Sequence, residues 1–515
     1  MDFLNHDRGD LTVRKLSKVM AVCLAVCMLL PTFAAYAAED GKFTNYTYNY
    51  DYWQDEIEMP DAYRVEQVIY SDTLGLETGM NKPQSLYIRD NFIYVADTGN
   101  NRVLEIERQD NTFVLVDIID KIAGAQPETL SSPSDMFVDE EGNIYIADTG
   151  NQRVIKADKE RKFIMNFVKP TDSTFDQNSD FLPSRLVVDV SGRVYTLATN
   201  VNKGLIKYEA DGVFAGFIGA NPVTYTMFEY IWKTFFTSKA QREQQAAFVP
   251  TEYSNIAIDD EGFIYATNAV FSEYDLLWDN AKPIRRLNSI GNDILVKNGW
   301  LPPIGDIYWE EQSVEYGPSK FRDITVLEND IYVAFDRTRG RLFGYDSQGI
   351  LLWAFGNKGN TEGTFNGAIS IEHMGNDLYC LDELGCTITV FKPTDYGNLI
   401  FEATDQYLKG DYDASADTWR EVLKLNANYN LAFIGIGRAL MRQENFEEAM
   451  KYFKMAYDQE NYGRAYRYFR KERIEQNIGW IVAIAVVLIA VILICKMVRK
   501  MKWEVQVYES KRKAR

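Results

Sequence analysis

Histidine is scarce in this sequence: the 515 residues include only His6 and His373. Catalytic triads of the serine-hydrolase kind use histidine as the base, and catalytic zinc sites and the His-Glu-x-x-His motif need two or three histidines. Phosphate-binding glycine loops, dinucleotide-binding fingerprints and nucleophile elbows are also absent. These absences exclude several large enzyme classes, and the sequence predicts a chain that is not an enzyme.

Cysteine is almost as scarce, with five residues in the whole chain. Cys23, Cys27 and Cys495 lie in apolar runs near the two ends, so only Cys380 and Cys386 belong to the central part. These two flank a short turn in LYCLDELGCTI, where a cross-hairpin disulfide could form in an oxidising compartment. The spacing leaves both a disulfide and two free thiols open.

Between the two ends of the chain, basic residues are fewer than acidic ones. Residues 38–477 carry 69 acidic and 43 basic side chains, a net charge of −26. Such a surface repels nucleic acid, so no nucleic-acid partner is expected, and it favours cationic partners or divalent ions. It also favours simple solubility outside the cell.

The two ends of the chain predict a membrane topology. Basic residues precede an apolar run that finishes in Ala35-Tyr36-Ala37, so residues 1–37 are predicted to be a cleaved signal peptide. Residues 478–495 are an uncharged apolar stretch long enough for a transmembrane helix. Residues 496–515 are rich in lysine and arginine, which predicts a cytoplasmic tail. The expected location is the cell membrane, with a single pass and the N-terminal part outside.

The central part contains an internal repeat. FIYVADTGNNRVLEI, from Phe92, matches NIYIADTGNQRVIKA, from Asn143, and weaker copies follow. Short alternating strands separated by acidic or glycine turns are typical of propeller blades. We therefore predict a mainly β fold with a six-bladed β-propeller over residues 63–396, after an acidic, tyrosine-rich linker over 38–62. The strand that begins near Arg64 should complete the last blade. The six anchoring tyrosines are Tyr94, Tyr145, Tyr195, Tyr265, Tyr332 and Tyr379.

The repeat Y-x-A-D-T-G-N-x-R-V resembles NHL repeats, which build six-bladed propellers. Asp97, Asp148, Arg102 and Arg153 match characteristic positions of that repeat, where they are expected to hold the strand connection together. Calcium-dependent lactonases on similar propellers use Glu, Asp and Asn at the central axis. No unique set of such residues stands out here, so no cofactor is predicted, and a calcium-dependent lactonase-like hydrolase remains the alternative.

The period changes after the propeller. YLKGDYDASADTWREVLKLN and ALMRQENFEEAMKYFKMAYD align with Tyr412 and Phe446 34 residues apart, the period of tetratricopeptide repeats. We predict such helical repeats, with a capping helix, over residues 398–476. The fold class is thus a propeller followed by an α-helical array and one transmembrane helix.

Aromatic residues concentrate in insertions of the propeller. Five large side chains recur at helical spacing between the third and fourth units, and three tryptophans follow in later insertions. Packing and ligand or partner contact are both open for these residues. The candidate interaction surface comprises Phe228, Ile231, Trp232, Phe235, Phe236, Trp278, Trp300 and Trp309.

Propellers and helical repeats usually supply binding surfaces. The sequence therefore predicts a membrane-anchored extracytoplasmic binding or scaffold protein. Its expected partners are a membrane or envelope protein, by analogy a nutrient uptake complex, and a peptide or glycan ligand.

Overall fold

The computed structural model describes residues 47–51, 53, 55–172, 175, 177–199, 201, 203–219, 253–269, 271, 275–276, 282–297, 303–308 and 317–513. Within these residues the chain forms a six-bladed β-propeller followed by helices, which confirms the predicted mainly β fold class. The strands are β1 (Thr47–Tyr50), β2 (Glu56–Met59), β3 (Tyr63–Ile69), β4 (Ser85–Arg89), β5 (Phe92–Asp97), β6 (Arg102–Gln109), β7 (Thr112–Ile119), β8 (Pro133–Val138), β9 (Ile144–Asp148), β10 (Arg153–Ala157), β11 (Phe163–Val168), β12 (Leu182–Val188), β13 (Val194–Thr199), β14 (Leu205–Tyr208), β15 (Phe214–Ile218), β16 (Tyr253–Ile258), β17 (Ile264–Asn268), β18 (Ile284–Leu287), β19 (Ile307–Tyr308), β20 (Gly317–Pro318), β21 (Phe321–Val326), β22 (Tyr332–Asp336), β23 (Arg341–Tyr345), β24 (Leu351–Phe355), β25 (Asn357–Lys358), β26 (Thr364–Phe365), β27 (Ala368–Met374), β28 (Asp377–Asp382) and β29 (Thr387–Pro393). The helices are α1 (Asp395–Leu408), α2 (Tyr412–Leu425), α3 (Asn430–Arg442), α4 (Phe446–Met455) and α5 (Gln459–Lys513).

Each blade is an antiparallel sheet, and in the first five blades the strands run outward from the axis in chain order. Blade 1 is β4-β5-β6-β7, blade 2 is β8-β9-β10-β11 and blade 3 is β12-β13-β14-β15. Blade 4 has the three strands β16-β17-β18 in the described residues, and blade 5 begins with β21-β22-β23-β24. Blade 6 is β27-β28-β29 with β3 as its outer strand.

The ring closes through its innermost strands and through blade 6. The first strand of every blade contacts the first strand of the next, from β4 through β8, β12, β16, β21 and β27 back to β4. β3 pairs antiparallel with β29, with Ile69 opposite Ile388 and Tyr63 opposite Pro393. The N-terminal strand therefore supplies the outer strand that the sixth unit lacks, and blade 6 has four strands.

The repeated tyrosines explain how neighbouring blades pack. All six lie in the second strand of a blade and are buried, with at most 6% of the side chain exposed. Each belongs to an apolar cluster shared by two neighbouring blades. The second strand of each blade lies between two neighbouring blades and presents one face to each of them. Apolar residues on both faces of this strand are therefore buried. These tyrosines are Tyr94, Tyr145, Tyr195, Tyr265, Tyr332 and Tyr379.

Part of the segment predicted as a linker is folded. β1 and β2 form a hairpin, and Tyr48 in β1 lies opposite Ala354 in β24. The hairpin extends blade 5 to six strands, in the order β2-β1-β24-β23-β22-β21. The prediction of a linker over 38–62 was therefore wrong for residues 47–59, because the buried Tyr48 and Met59 bind this segment to the propeller.

The helical region is built from antiparallel hairpins. Tyr412 and Phe446, which the 34-residue spacing aligned, are the first residues of α2 and α4. Gly435 in α3 lets α2 approach closely, since a Cβ there would lie 2.4 Å from the indole nitrogen of Trp419. The α2–α3 pair thus packs through a small residue facing an aromatic one.

The helices pack directly onto blades 5 and 6. One apolar cluster joins Trp353 of β24 and Phe391 of β29 to Phe401 of α1 and Trp419 of α2. The Tyr429 hydroxyl also donates to the carbonyl oxygen of Leu352 at 2.6 Å. Propeller and helical hairpins therefore share a continuous core.

α5 is a single helix of 55 residues that begins beside α4. Among the described residues it is the one helix long and apolar enough to cross a membrane, judged by length and composition. Its apolar side chains, including the exposed Ile484 and Leu488, are not buried against the rest of the protein. The helix fits a single-pass membrane anchor.

Candidate functional site

The first strands of the six blades place one polar side chain each near the central axis. In five blades this residue follows a shift in the pairing register with the second strand. Such a bulge re-aims the side chain that follows it. All six side chains are buried, with at most 6% exposed. This axial ring consists of Ser85, Asp135, Arg185, Asn255, Asp323 and Ser370.

Asp323 is held by four donors from three blades. One carboxylate oxygen accepts hydrogen bonds from the Asn255 amide and the backbone N–H of Ile324. The other accepts from the Ser370 hydroxyl at 2.6 Å and from the backbone N–H of Ile371 at 2.7 Å. Burial raises the pKa of the Asp323 carboxyl, and these hydrogen bonds oppose that rise.

Asp135 occupies the corresponding place in blade 2. Its carboxylate accepts hydrogen bonds from the Ser85 hydroxyl at 2.5 Å and from the backbone N–H of Leu186 at 2.7 Å. Burial raises the pKa of Asp135 to about 6, although the positive charge of Arg185 opposes the rise. The axial ring thus links blades 1, 2 and 3 through one carboxylate.

Arg185 supplies the positive charge of the axial ring. Its guanidinium donates to the carbonyl oxygens of Ser134 at 3.0 Å and Ser184 at 2.7 Å. The other terminal nitrogen reaches the carbonyl oxygen of Gln84 in front of blade 1, at 3.0 Å. One side chain of blade 3 therefore bridges three blades beside the axis.

The axial carboxylates do not fit a calcium site. Calcium needs six to eight oxygen ligands with free lone pairs, whereas each oxygen of Asp135 and Asp323 already accepts hydrogen bonds from donors of the protein. Arg185 places a permanent positive charge beside both carboxylates and lowers their pKa values. Within the described part of the chain, no group of three or more His, Cys, Asp or Glu residues is arranged to hold a metal.

A cavity of about 1050 Å³ opens from the axial ring toward the turns between first and second strands. Its described lining carries eleven acidic side chains against two basic ones, Arg89 and Lys156. A concave surface lined by charges of one sign focuses its field and concentrates ions of the opposite sign. The acidic residues are Asp90, Asp135, Asp139, Glu140, Glu141, Asp189, Asp259, Asp260, Asp323, Glu328 and Glu372.

The carboxylates outside the axial ring differ in their contacts. Some hold the turns: Asp139 accepts from the backbone N–H of Asn143 at 2.7 Å, and Asp259 accepts from that of Phe263 at 2.8 Å. Others are exposed at the rim of the cavity and carry no such turn contact in the described residues. These rim acids are Glu140, Glu141, Asp260 and Glu328.

The wall of the cavity also contains a hydrogen-bonded group of three residues. The Thr325 hydroxyl lies 2.7 Å from Nδ1 of His373 and donates to the Glu372 carboxyl at 3.2 Å. Burial, together with the charge of Asp323, raises the pKa of Glu372 well above its usual range. Burial lowers the pKa of His373 to about 4. His373 is therefore neutral near pH 7.

The predicted aromatic interaction surface lies outside the described residues. Its flanking strands nevertheless show where the largest insertion leaves the propeller. β15 ends at Ile218 and β16 begins at Tyr253, both at the end of the axis where first strands begin. That end is opposite the acidic cavity. The residues concerned are Phe228, Ile231, Trp232, Phe235, Phe236, Trp278, Trp300 and Trp309.

Cys380 and Cys386 are free thiols in this structure, so the cross-hairpin disulfide that the spacing left open is not formed. The reason is geometric. Cys380 lies opposite Thr389 within the β28–β29 pair, whereas Cys386 lies in the turn before Thr387. Cys380 also packs into the cluster shared with the helices, while Cys386 contacts the cluster between blades 6 and 1.

The axial ring and the Glu372 group were missed by sequence reasoning. The six ring residues are of four types, so a search for one repeated residue does not find them. A weak signal was present in Ser132-Pro133-Ser134-Asp135 and in Leu182-Pro183-Ser184-Arg185, which occupy the same place in successive units. An alignment of the six first strands would have placed a polar residue at this position in every blade.

Comparison with known proteins adds information on the fold alone. No family model matches the chain, and no curated protein matches it. A streptogramin B lyase structure is 10% identical with a TM-score of 0.38, and the match covers 65% of this chain and 100% of that one. A putative gluconolactonase is 9% identical with a TM-score of 0.38, covering 65% and 94%.

A structural genomics protein of unknown function from Bacteroides thetaiotaomicron VPI-5482 is 13% identical with a TM-score of 0.39, covering 61% of this chain and 70% of that one. Likenesses of this size carry no argument about activity.

Proposed function

We propose that this chain is a membrane-anchored binding protein whose propeller binds a cationic ligand in the acidic cavity. The observation that carries the proposal is the lining of that cavity, with eleven acidic and two basic side chains in the described residues. The ligand class is a basic peptide segment or an amine-bearing glycan, because an ammonium or guanidinium group is what such a surface attracts.

The volume of the cavity supports binding of an extended group. Its volume of about 1050 Å³ is at the upper end of the usual range for ligand pockets. The axial ring closes its floor, and the rim acids border its mouth. A chain that enters from the rim would place its first cationic groups near Glu140, Asp260 and Glu328.

The setting of the propeller is part of the proposal. The repeat motifs support an NHL-type propeller and tetratricopeptide-type helical hairpins. The signal-like N-terminus and the basic C-terminal tail support an extracytoplasmic propeller with α5 as a single-pass anchor in the cell membrane. The helical hairpins would then lie near the bilayer, where they could contact a membrane or envelope protein.

The test is binding of a labelled hexalysine peptide to the full-length protein in detergent, by fluorescence anisotropy. We expect the quadruple variant Glu140→Gln, Glu141→Gln, Asp260→Asn and Glu328→Gln to raise the Kd about tenfold or more. Each exposed charge contributes about 0.2–1 kcal/mol to such an interaction, and 1.4 kcal/mol corresponds to a factor of ten. A glucosamine hexamer serves as a second probe and distinguishes a glycan ligand from a peptide.

A matched control removes four exposed acidic residues from the helices and leaves the same net charge. It should bind hexalysine with a Kd within about twofold of the unaltered protein, because at 0.1 M salt charges beyond roughly 10 Å are screened. Equal weakening in both variants would mean that only net charge matters, and the proposed site would be wrong. The control changes are Asp417→Asn, Glu421→Gln, Glu448→Gln and Glu460→Gln.

A further inference from the structure

Arg322 lies at the start of β21, the first strand of blade 5. It precedes Asp323 of the axial ring, and its Nε is buried without a hydrogen bond. Arg185 also has such an Nε, but its terminal nitrogens donate to three carbonyl oxygens. In the part of the chain that the structure describes, Arg322 forms no hydrogen bond or ion pair.

The carboxylates near Arg322 are already engaged by other donors. Arg337 forms an ion pair with Glu383 at 3.3 Å, and that carboxylate also accepts from Gln84 at 2.7 Å. Asp323, the nearest residue in sequence, has both carboxylate oxygens engaged by four donors of its own. Neither carboxylate is thus left to pair with Arg322.

These surroundings change the pKa of the Arg322 guanidinium. Burial, together with the positive charges of Arg185 and Arg337, lowers the pKa of Arg322 to about 10. The negative charges of Asp323 and Glu383 oppose this shift only in part. Arg322 is half-buried, and among the described residues no oxygen accepts a hydrogen bond from it. An oxyanion would supply such an acceptor, since a guanidinium pairs with carboxylates and phosphates in a two-pronged geometry.

Arg322 lies at the end of the channel that is opposite the acidic cavity. It is the second residue of β21, before Asp323 of the axial ring, whereas the cavity opens beyond the other end of the first strands. Arg337 and Glu383 belong to connections between second and third strands, which lie at this same end. The propeller therefore has the acidic cavity at one end of its axis, and Arg322 and Arg337, with Glu383, at the other.

We propose that the end of the channel bordered by Arg185, Arg322 and Arg337 binds an oxyanion, the carboxylate or phosphate group of a ligand. Arg322 is the principal contact, with Arg337 at the exposed side and Arg185 behind. This site is separate from the acidic cavity and does not depend on the function proposed for it.

Equilibrium binding of radiolabelled inorganic phosphate to the full-length protein in detergent tests the site. We expect saturable binding of one phosphate per chain, competed by sodium acetate but not by sodium chloride at the same ionic strength. Arg322→Met should weaken binding at least tenfold, because a charge-assisted hydrogen bond contributes about as much as a tenfold change in Kd. Arg322→Lys, which keeps the charge but not the planar fork, should give an intermediate Kd.

Thermal stability without phosphate or acetate provides a second readout. An arginine with a structural role lowers the Tm when it is removed, whereas removal of an uncompensated one leaves the Tm unchanged or raises it. We therefore expect no lower Tm for Arg322→Met. Arg286→Met is the matched control at the other end of the axis, where Arg286 pairs with Asp259 at 2.8 Å. It should lower the Tm and leave phosphate binding unchanged.

Two results would overturn the proposal. One is the lack of saturable phosphate binding by the unaltered protein and by Arg322→Lys. The other is phosphate binding that persists unchanged in Arg322→Met. Either would mean that the guanidinium groups at this end are structural.

Discussion

Blades 2 and 5 stabilise the same strand connection with different partners. In both blades an aspartate ends the second strand and an arginine opposite it begins the third, Asp148 with Arg153 and Asp336 with Arg341. In blade 2 the two side chains pair directly, with Nε and the carboxylate oxygen 2.8 Å apart. In blade 5 Arg341 donates instead to Asp306.

The partner in blade 5 comes from outside the repeat. Asp306 precedes β21 and lies outside the strands of the repeat, and it is fully buried. It also accepts hydrogen bonds from the hydroxyls of Tyr48 at 2.7 Å and Tyr50 at 2.5 Å, both in the N-terminal hairpin. In blade 2 the aspartate and the arginine of the repeat motif pair with each other across the strand connection. In blade 5 the arginine of the motif pairs instead with a residue that lies about 35 positions earlier in the chain and is also bound by the N-terminal hairpin.

The largest effect is expected from Asp306→Asn. The change keeps the shape of the side chain but leaves Arg341, with 6% of its side chain exposed, without its carboxylate. Breaking a buried ion pair in this way costs about 3–5 kcal/mol of the free energy of unfolding. Urea denaturation of the full-length protein, followed by tryptophan fluorescence, measures the change. A loss below about 1 kcal/mol would show that Arg341 finds another partner and that the contrast between the blades is smaller than proposed.

A smaller loss, of about 2–3 kcal/mol, is expected from Arg153→Met in blade 2. Asp148 would keep the backbone N–H of Ser131 and the amide of Asn151, each at 2.8 Å, so one of its three donors is lost. A hydrogen bond to a charged group contributes about 1.5–3 kcal/mol. The same urea measurement applies. If this variant were less stable than Asp306→Asn, the local pair would be the stronger of the two arrangements, contrary to expectation.

The smallest effect is expected from Tyr48→Phe, which removes one donor of Asp306 and one acceptor of Arg341. Asp306 keeps its hydrogen bonds from Tyr50 and Arg341. We expect a loss of about 1–2 kcal/mol, since each hydrogen bond contributes about 1 kcal/mol. Limited proteolysis near residues 47–59 should remain unchanged. Rapid cleavage there would mean that this hydroxyl keeps the hairpin attached to blade 5.

Much of the propeller could be predicted because its information is local and repeated. Tyr94 and Tyr145 recur at a fixed offset in strands of alternating residues, and the recurrence gave the number of blades and their second strands. The contacts of Asp97 with Arg102, at 2.7 Å, and of Asp148 with Arg153 are also within five residues of each other. Such contacts follow from the motif itself.

The remaining features depend on contacts between distant residues. Nothing in the composition of the N-terminal segment indicates that Tyr48 pairs with a strand about 300 residues later. The axial ring is defined by the position of its members relative to the axis and not by residue type, so Arg185 and Asp323 share no motif. Acidic turn residues such as Glu140 were visible in the sequence, but only the ring geometry brings them to one cavity.

The pairing of β3 with β29 sets an order of assembly. β3 leaves the ribosome early, yet its partner strand follows about 320 residues later. Closing a loop of that length costs about 5 kcal/mol of chain entropy beyond a constant term. Pairing of β3 with β29 is therefore unfavourable in free energy until the blades between them have folded. During synthesis of the chain β3 therefore remains unpaired until β29 has been made, and blade 6 is the last blade that can be completed. A chain interrupted before β29 would hold five blades and an exposed strand edge, which is the form most prone to aggregation.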